Sequence, residues 1–156
     1  MKVAFTIFFA IVFLINCKGP KEDSPIDVAL SPDAEHLEEI NTECFQYVSE
    51  KDTIQFMTLT EGTRVTGTLE YSIFEKDKNT GSIEGEIREK MLIAEYTFMS
   101  EGDSSKRQVV FQKTEEGWIE GYGEMKTVDE IPVQVNIDSL DFTNQLILAP
   151  IPCDSN

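Results

Sequence analysis

The chain has 156 residues, with 13 lysines and arginines against 29 aspartates and glutamates and a formal net charge of −16 at pH 7. That balance argues against a nucleic-acid-binding surface, which grips phosphates with basic side chains, and against a polybasic hold on anionic lipid. It permits attraction to a cationic partner protein.

In chain order, the first segment reads as a targeting signal. Met1-Lys2 is basic, Val3 to Ile15 is apolar apart from Thr6, and polar Asn16, Cys17, Lys18, Gly19 and Pro20 follow at once. The apolar run is shorter than the roughly 20 residues a helix needs to cross a bilayer. Leu14-Ile15-Asn16-Cys17 resembles the lipobox of bacterial lipoproteins, with Asn16 where that family usually has glycine, alanine or serine. The resemblance implies cleavage before Cys17 and a diacylglyceryl group on its thiol. Residues 1–16 are then the lipoprotein signal peptide, and the chain is held on a membrane through its N-terminal lipid. Each buried CH₂ contributes roughly 0.8 kcal/mol, so two or three acyl chains anchor where one does not. Lys18, not aspartate, follows the cysteine, which in enterobacteria-like lipoproteins implies the outer membrane. Lys21-Glu22-Asp23 is similar to the short charged stretch of surface lipoproteins of Bacteroidetes-type bacteria. The expected location is the outer membrane, lipid-anchored, facing either periplasm or cell surface.

Residues 17–41 read as a lipidated flexible tether, with Pro20, Pro25 and Pro32, several acids and little apolar periodicity. Glu35 to Ile40 has the composition for one helical turn. The one histidine, His36, falls here, which argues against a Ser–His triad, a Cys–His pair or a histidine-rich metal site. With Cys17 assigned to lipid, Cys44 and Cys153 are an even pair in an oxidising compartment, and a disulfide between them is expected over two buried thiols.

The folded domain is assigned to 42–156, where the apolar period is two. Predicted strands are Thr53 to Thr60, Arg64 to Phe74, Ser82 to Arg88, Met91 to Met99, Gln108 to Lys113, Trp118 to Met125 and Ile131 to Ile137. Turns fall at Thr60-Glu61-Gly62, Asp77 to Gly81, Arg88-Glu89-Lys90, Glu101-Gly102-Asp103 and Glu115-Glu116-Gly117. The expected fold is all-β, an antiparallel meander of seven or eight strands forming a small calycin-like barrel or a sandwich. Val65-Thr66-Gly67, Ile83-Glu84-Gly85 and Ile119-Glu120-Gly121 each put glycine inside a strand. Such glycines mark bends or close backbone approach and favour the barrel. Leu69, Tyr71, Ile73, Ile83, Leu92, Tyr96, Phe98, Val109 and Phe111 should point inward and fill it.

No catalytic, metal or cofactor site is expected. No glycine-rich phosphate loop follows a strand and opens a helix. Asp77-Lys78-Asn79-Thr80-Gly81 has Asp and Asn two apart as in a calcium loop, but its glycine is one place early, no terminal glutamate follows, and Lys76 and Lys78 add positive charge. Ser100-Glu101-Gly102-Asp103-Ser104-Ser105-Lys106-Arg107 is the most polar segment of the strand region and reads as a loop. Ser100, Glu101, Gly102, Ser104, Lys106 and Arg107 are its candidate partner-binding residues, since loops on rigid strands carry binding groups. Tyr96 to Gly102, Val109-Val110-Phe111 and Glu120 to Gly123 resemble small lipoproteins of Bacteroidetes-type bacteria, a likeness that implies no activity. Ser100, Gly102, Ser104 and Lys106 are loosely similar to the inhibitory loop of membrane-bound inhibitors of c-type lysozyme, without the aromatic residue that follows it there. The functional expectation is a non-enzymatic binding or interaction domain on an envelope lipoprotein. The alternatives are an inhibitor of a cationic envelope enzyme such as lysozyme, a carrier of a small hydrophobic ligand, and, since paired carboxylates are plentiful, a hydrolase.

Overall fold

A computed structural model describes residues 39–144 and 146–153. The expectations for the signal peptide, Cys17, His36 and most of the tether lie outside the described residues.

The strands are β1 (Asn41–Val48), β2 (Thr53–Glu61), β3 (Arg64–Ser72), β4 (Asn79–Arg88), β5 (Met91–Ser100), β6 (Asp103–Lys113), β7 (Trp118–Glu120), β8 (Met125–Val128), β9 (Ile131–Gln134) and β10 (Ile147–Ile151). Eight of them close a barrel in the order β1-β10-β7-β6-β5-β4-β3-β2, every pairing antiparallel. This is a barrel and not a sandwich. β8 and β9 form a separate hairpin, inserted between β7 and β10.

Period-two patterning puts alternate residues inside. The core gathers Phe45, Phe56, Leu69, Tyr71, Ile83, Leu92, Tyr96, Val109, Phe111, Trp118 and Leu148, all buried, with Ile73 and Phe98 packed against them. All nine residues expected to point inward therefore do so or pack against the core. Aromatic rings run through the barrel. Phe56 stacks on Phe111 at 4.9 Å, Phe45 meets Phe56 at 5.9 Å and Trp118 edge-on at 6.4 Å, and Tyr96 stacks on Phe98 at 4.8 Å. The interior is filled by side chains. Outside, Arg64 pairs with Glu84 at 2.7 Å, Lys106 with Glu95 at 2.6 Å and Lys78 with Glu70 at 2.8 Å. Charges along the wall mark it as facing water, since a lipid-facing barrel needs an apolar band there.

Two strand glycines serve close approach. A Cβ on Gly67 would run into the Met57 carbonyl oxygen, and one on Gly85 into the Ile93 carbonyl oxygen. The inserted glycines let neighbouring strands close at those points.

Chain direction defines the two ends. β1 enters at Asn41 and β10 leaves past Ile151 at the same end, where Cys44 and Cys153 are joined by a disulfide with Cα atoms 5.2 Å apart. Lys113 caps this end, 4.7 Å from the ring centres of both Phe45 and Trp118 and 3.7 Å from Glu43. The other end carries the turns after β1, β3 and β5, and the chain leaving β7.

Several boundaries differ from the sequence reading. β1 and β10 were not among the predicted strands. β10 contains Pro150, which normally argues against a strand. Here β7 pairs only with Ile147 and Leu148, so the missing N–H of Pro150 faces no partner on that side. The run Trp118 to Met125 is not one strand. β7 stops at Glu120 because Gly121 lies tightly against Phe142 and Leu140 and the chain turns out of the wall. Asn79 to Gly81 belongs to β4, so the turn expected at Asp77 to Gly81 ends earlier. Ile131 to Ile137 pairs only to Gln134, and a short 3₁₀ turn (Ile137–Ser139) follows.

Candidate functional site

The end of the barrel opposite the disulfide is built around one carboxylate. Glu120 ends β7 facing inward, on the same side as Trp118, and its side chain is only 6% exposed. Three side chains donate to it. Arg107 Nη1 lies 2.9 Å from Oε1, and the hydroxyls of Tyr71 and Tyr122 each lie 2.8 Å from Oε2. Asn144 Nδ2 donates to its main-chain oxygen at 2.6 Å, tying the returning chain to the same residue. A buried charge is tolerated when it is paired and its lone pairs are satisfied, as here.

Arg107 reaches this position from β6, where it has the same inward parity as Val109 and Phe111. Its guanidinium lies 5.4 Å from the Tyr71 ring centre and 5.7 Å from that of Tyr96. Tyr96 donates its own hydroxyl to the Leu69 carbonyl at 2.9 Å. Burial alone would lower the Arg107 pKa, but Glu120 and the flanking phenols more than reverse this and keep it fully protonated. Burial first, then the Glu120 charge, pushes the Tyr71 and Tyr122 hydroxyls well above the ordinary tyrosine value. Tyr96 is raised mainly by burial. The cluster is therefore a set of fixed donors, all protonated at neutral pH, around one anion.

Above it is a concavity of about 270 Å³ lined by Ile54, Tyr71, Ile73, Lys76, Asp77, Asn79, Arg107, Tyr122 and Leu146. The Asn79 side-chain oxygen is buried there and has no partner among the described residues. An apolar floor with a few convergent polar groups is the usual composition of a recognition pocket. A second cleft of about 310 Å³ lies between the β8–β9 hairpin and the wall, lined by Ile93, Ala94, Glu95, Gln108, Val128, Asp129, Ile131 and Val133. Among the described residues no group of three His, Cys, Asp or Glu is placed to hold a metal ion.

No protein-family model, curated protein or solved structure matches the chain. The site's own geometry therefore carries the functional reading.

The segment read as a long polar loop is mostly strand. β5 runs through Ser100 and β6 begins at Asp103, so only Glu101 and Gly102 form the turn, both with positive φ. Ser104 and Lys106 lie on the outer wall, Lys106 bound to Glu95. Arg107 faces the other way and joins Glu120, yet Ser104, Lys106 and Arg107 all border one groove beside the β8–β9 hairpin. Cys44 and Cys153 are bonded to each other. The sequence reading missed Glu120, Tyr122 and Asn79. The signal for Glu120 was present, since its parity with Trp118 puts it inside the barrel.

Proposed function

We propose that this chain is a lipid-anchored envelope protein whose barrel is a non-enzymatic binding module, with recognition centred on the mouth around Arg107 and Glu120. The observation that carries this reading is the placement of that mouth. Arg107, Tyr71 and Tyr122, each hydrogen-bonded to the buried Glu120, line the concavity. The N-terminal chain, which would lead back to Cys17, joins β1 at the opposite end of the barrel. The filled interior supports binding at the rim over a carrier role.

The experiment has two parts. Cells expressing the wild type and Cys17→Ser are labelled with palmitate and fractionated. The reading expects label and membrane retention after a high-salt wash only in the wild type. Full chain is then screened by ligand-observed NMR against small carboxylates, phosphates and sugars. Ligands that bind should lose binding in Tyr122→Phe and Asn79→Ala and keep it in a Lys113→Gln control at the other end. A labelled, membrane-held Cys17→Ser protein, or binding unaffected by the mouth variants, contradicts the reading. The charge of −16 favours one second reading, inhibition of a cationic envelope enzyme. Adding the protein to a lysozyme turnover assay separates the two.

A further inference from the structure

Strand β6 is longer than its neighbour on one side. β5 pairs with it from Asp103 to Gln112, but β7 pairs only with Phe111, Gln112 and Lys113. One more main-chain bond, from Gly121 N–H to the Val110 carbonyl at 2.8 Å, continues that side before the chain departs. Main-chain groups alternate sides along an antiparallel strand. Gln108, Lys106 and Ser104 therefore direct their N–H and C=O groups the same way as Val110, away from β5. Among the described residues no strand pairs with them there. β9 comes close, yet its Gln134 N–H donates to the Gln108 side chain at 3.0 Å and not to the β6 backbone. Ser104, Ser105 and Lys106 are exposed.

Beside this edge runs a groove of about 810 Å³, with Met125, Asp129, Glu130, Ile131 and Pro132 of the β8–β9 hairpin as its other wall. Its cations are neutralised, Lys106 by Glu95 and Arg107 by Glu120. Asp129 and Glu130 have no cationic partner among the described residues. They occupy the two central positions of the β8–β9 turn with φ of 48° and 67°. Aspartate suits the first of these positions, but the second favours glycine, so Glu130 is held at the groove rim in a backbone conformation its side chain disfavours.

We propose that the β6 edge at Ser104, Lys106 and Gln108 is a strand-addition site for an extended, lysine- or arginine-rich segment of a partner protein. Strand addition takes its affinity from main-chain hydrogen bonds and its specificity from alternate side chains. Here one set of alternate side chains would meet Met125, Ile131 and Pro132, and basic ones would meet Asp129 and Glu130. A second copy of this chain is the poorer occupant, because it would bring two charges of −16 together. Strand addition rests on the binding-module reading but uses the wall beside the mouth, so the two fail separately.

The probe is a short synthetic peptide alternating lysine with valine and threonine, added to the full chain. Amide hydrogen exchange is followed by NMR, with a glutamate-for-lysine peptide as control. The lysine peptide should slow exchange at Ser104, Lys106 and Gln108, bind less tightly as salt is raised, and outbind the glutamate peptide. Lys106→Pro removes an edge donor that faces away from β5, and should weaken binding about tenfold, the worth of roughly one net hydrogen bond, with little change in Tm. Asp129→Asn with Glu130→Gln should weaken it too and keep the fold should the proline variant not fold. Equal binding of both peptides, or protection at Tyr122 and Asn79 in place of the edge, overturns the proposal. Concentration-dependent dimerisation that protects the same three amides without peptide also overturns it.

Discussion

Arg107 and Glu120 meet across the mouth of the barrel at 2.9 Å, with the carboxylate side chain 6% exposed and the guanidinium 27% exposed. They are 13 residues apart in sequence and come from neighbouring strands. Removing one partner leaves the other buried and uncompensated. Arg107→Met should therefore destabilise the fold by ~3 kcal/mol, and Glu120→Gln by less, because a neutral amide still accepts from the tyrosines. Urea unfolding of the single variants and of Arg107→Met with Glu120→Gln measures this. The double variant should lose less than the sum of the singles, and simple additivity would show that the pair is not coupled.

Tyr71, Tyr96 and Tyr122 all have raised pKa values in the fold, chiefly through burial. Below about pH 10 these phenols are protonated whether the chain is folded or not, so their contribution is fully present. Above that, the unfolded chain ionises first and stability falls as pH rises. Native protein at about pH 11 should lack the phenolate absorbance of these three residues, and denaturant should release it. Phenolate absorbance from Tyr71 and Tyr122 in the folded state, assigned with Tyr→Phe variants, would sink this prediction.

The disulfide joins residues 109 apart in sequence and ties β1 to the chain just beyond β10. On the chain-entropy model a loop of this size stabilises by about 4–5 kcal/mol. Cys44→Ser with Cys153→Ser should lower the urea midpoint accordingly, with exchange protection lost first in β1 and β10. An unchanged midpoint would remove the bridge from the stability account.

How much of this was legible follows from parity. β2 to β6 alternate apolar and polar residues because one face is core and the other is water, and their inward residues could be named directly. β10 was hidden by Pro150, harmless only because β7 is too short to face it. Ile131, Val133 and Val135 alternate as a barrel strand would, but belong to an excursion. Val110, on the outward parity of β6, is fully buried, and β9 packs against that strand. Arg107 was assigned to a loop because its neighbours Ser104 to Lys106 are polar. Extending the parity of Phe111 and Val109 back two residues would have placed it inside. Its partners Glu120, Tyr71 and Tyr122 depend on the barrel's stagger, and no short-range sequence pattern carries that.

Gly85 packs so closely on β5 that a side chain there meets the Ile93 carbonyl and Ala94. Gly85→Ala should cost about 1–3 kcal/mol, the usual range for overpacking. Thermal unfolding reads this directly. A neutral effect would mean that the strands can separate at that point.

The central claim is a barrel filled by its own side chains that recognises partners at its rim. Titrating a fluorescent fatty acid into the full chain tests it most directly. With Phe45, Phe56, Phe111, Trp118, Tyr71 and Tyr96 occupying the interior, the account predicts no saturable binding. Saturable one-to-one binding, abolished by Ala94→Trp in a variant that still folds by circular dichroism, would contradict it and make the protein a carrier of small hydrophobic molecules.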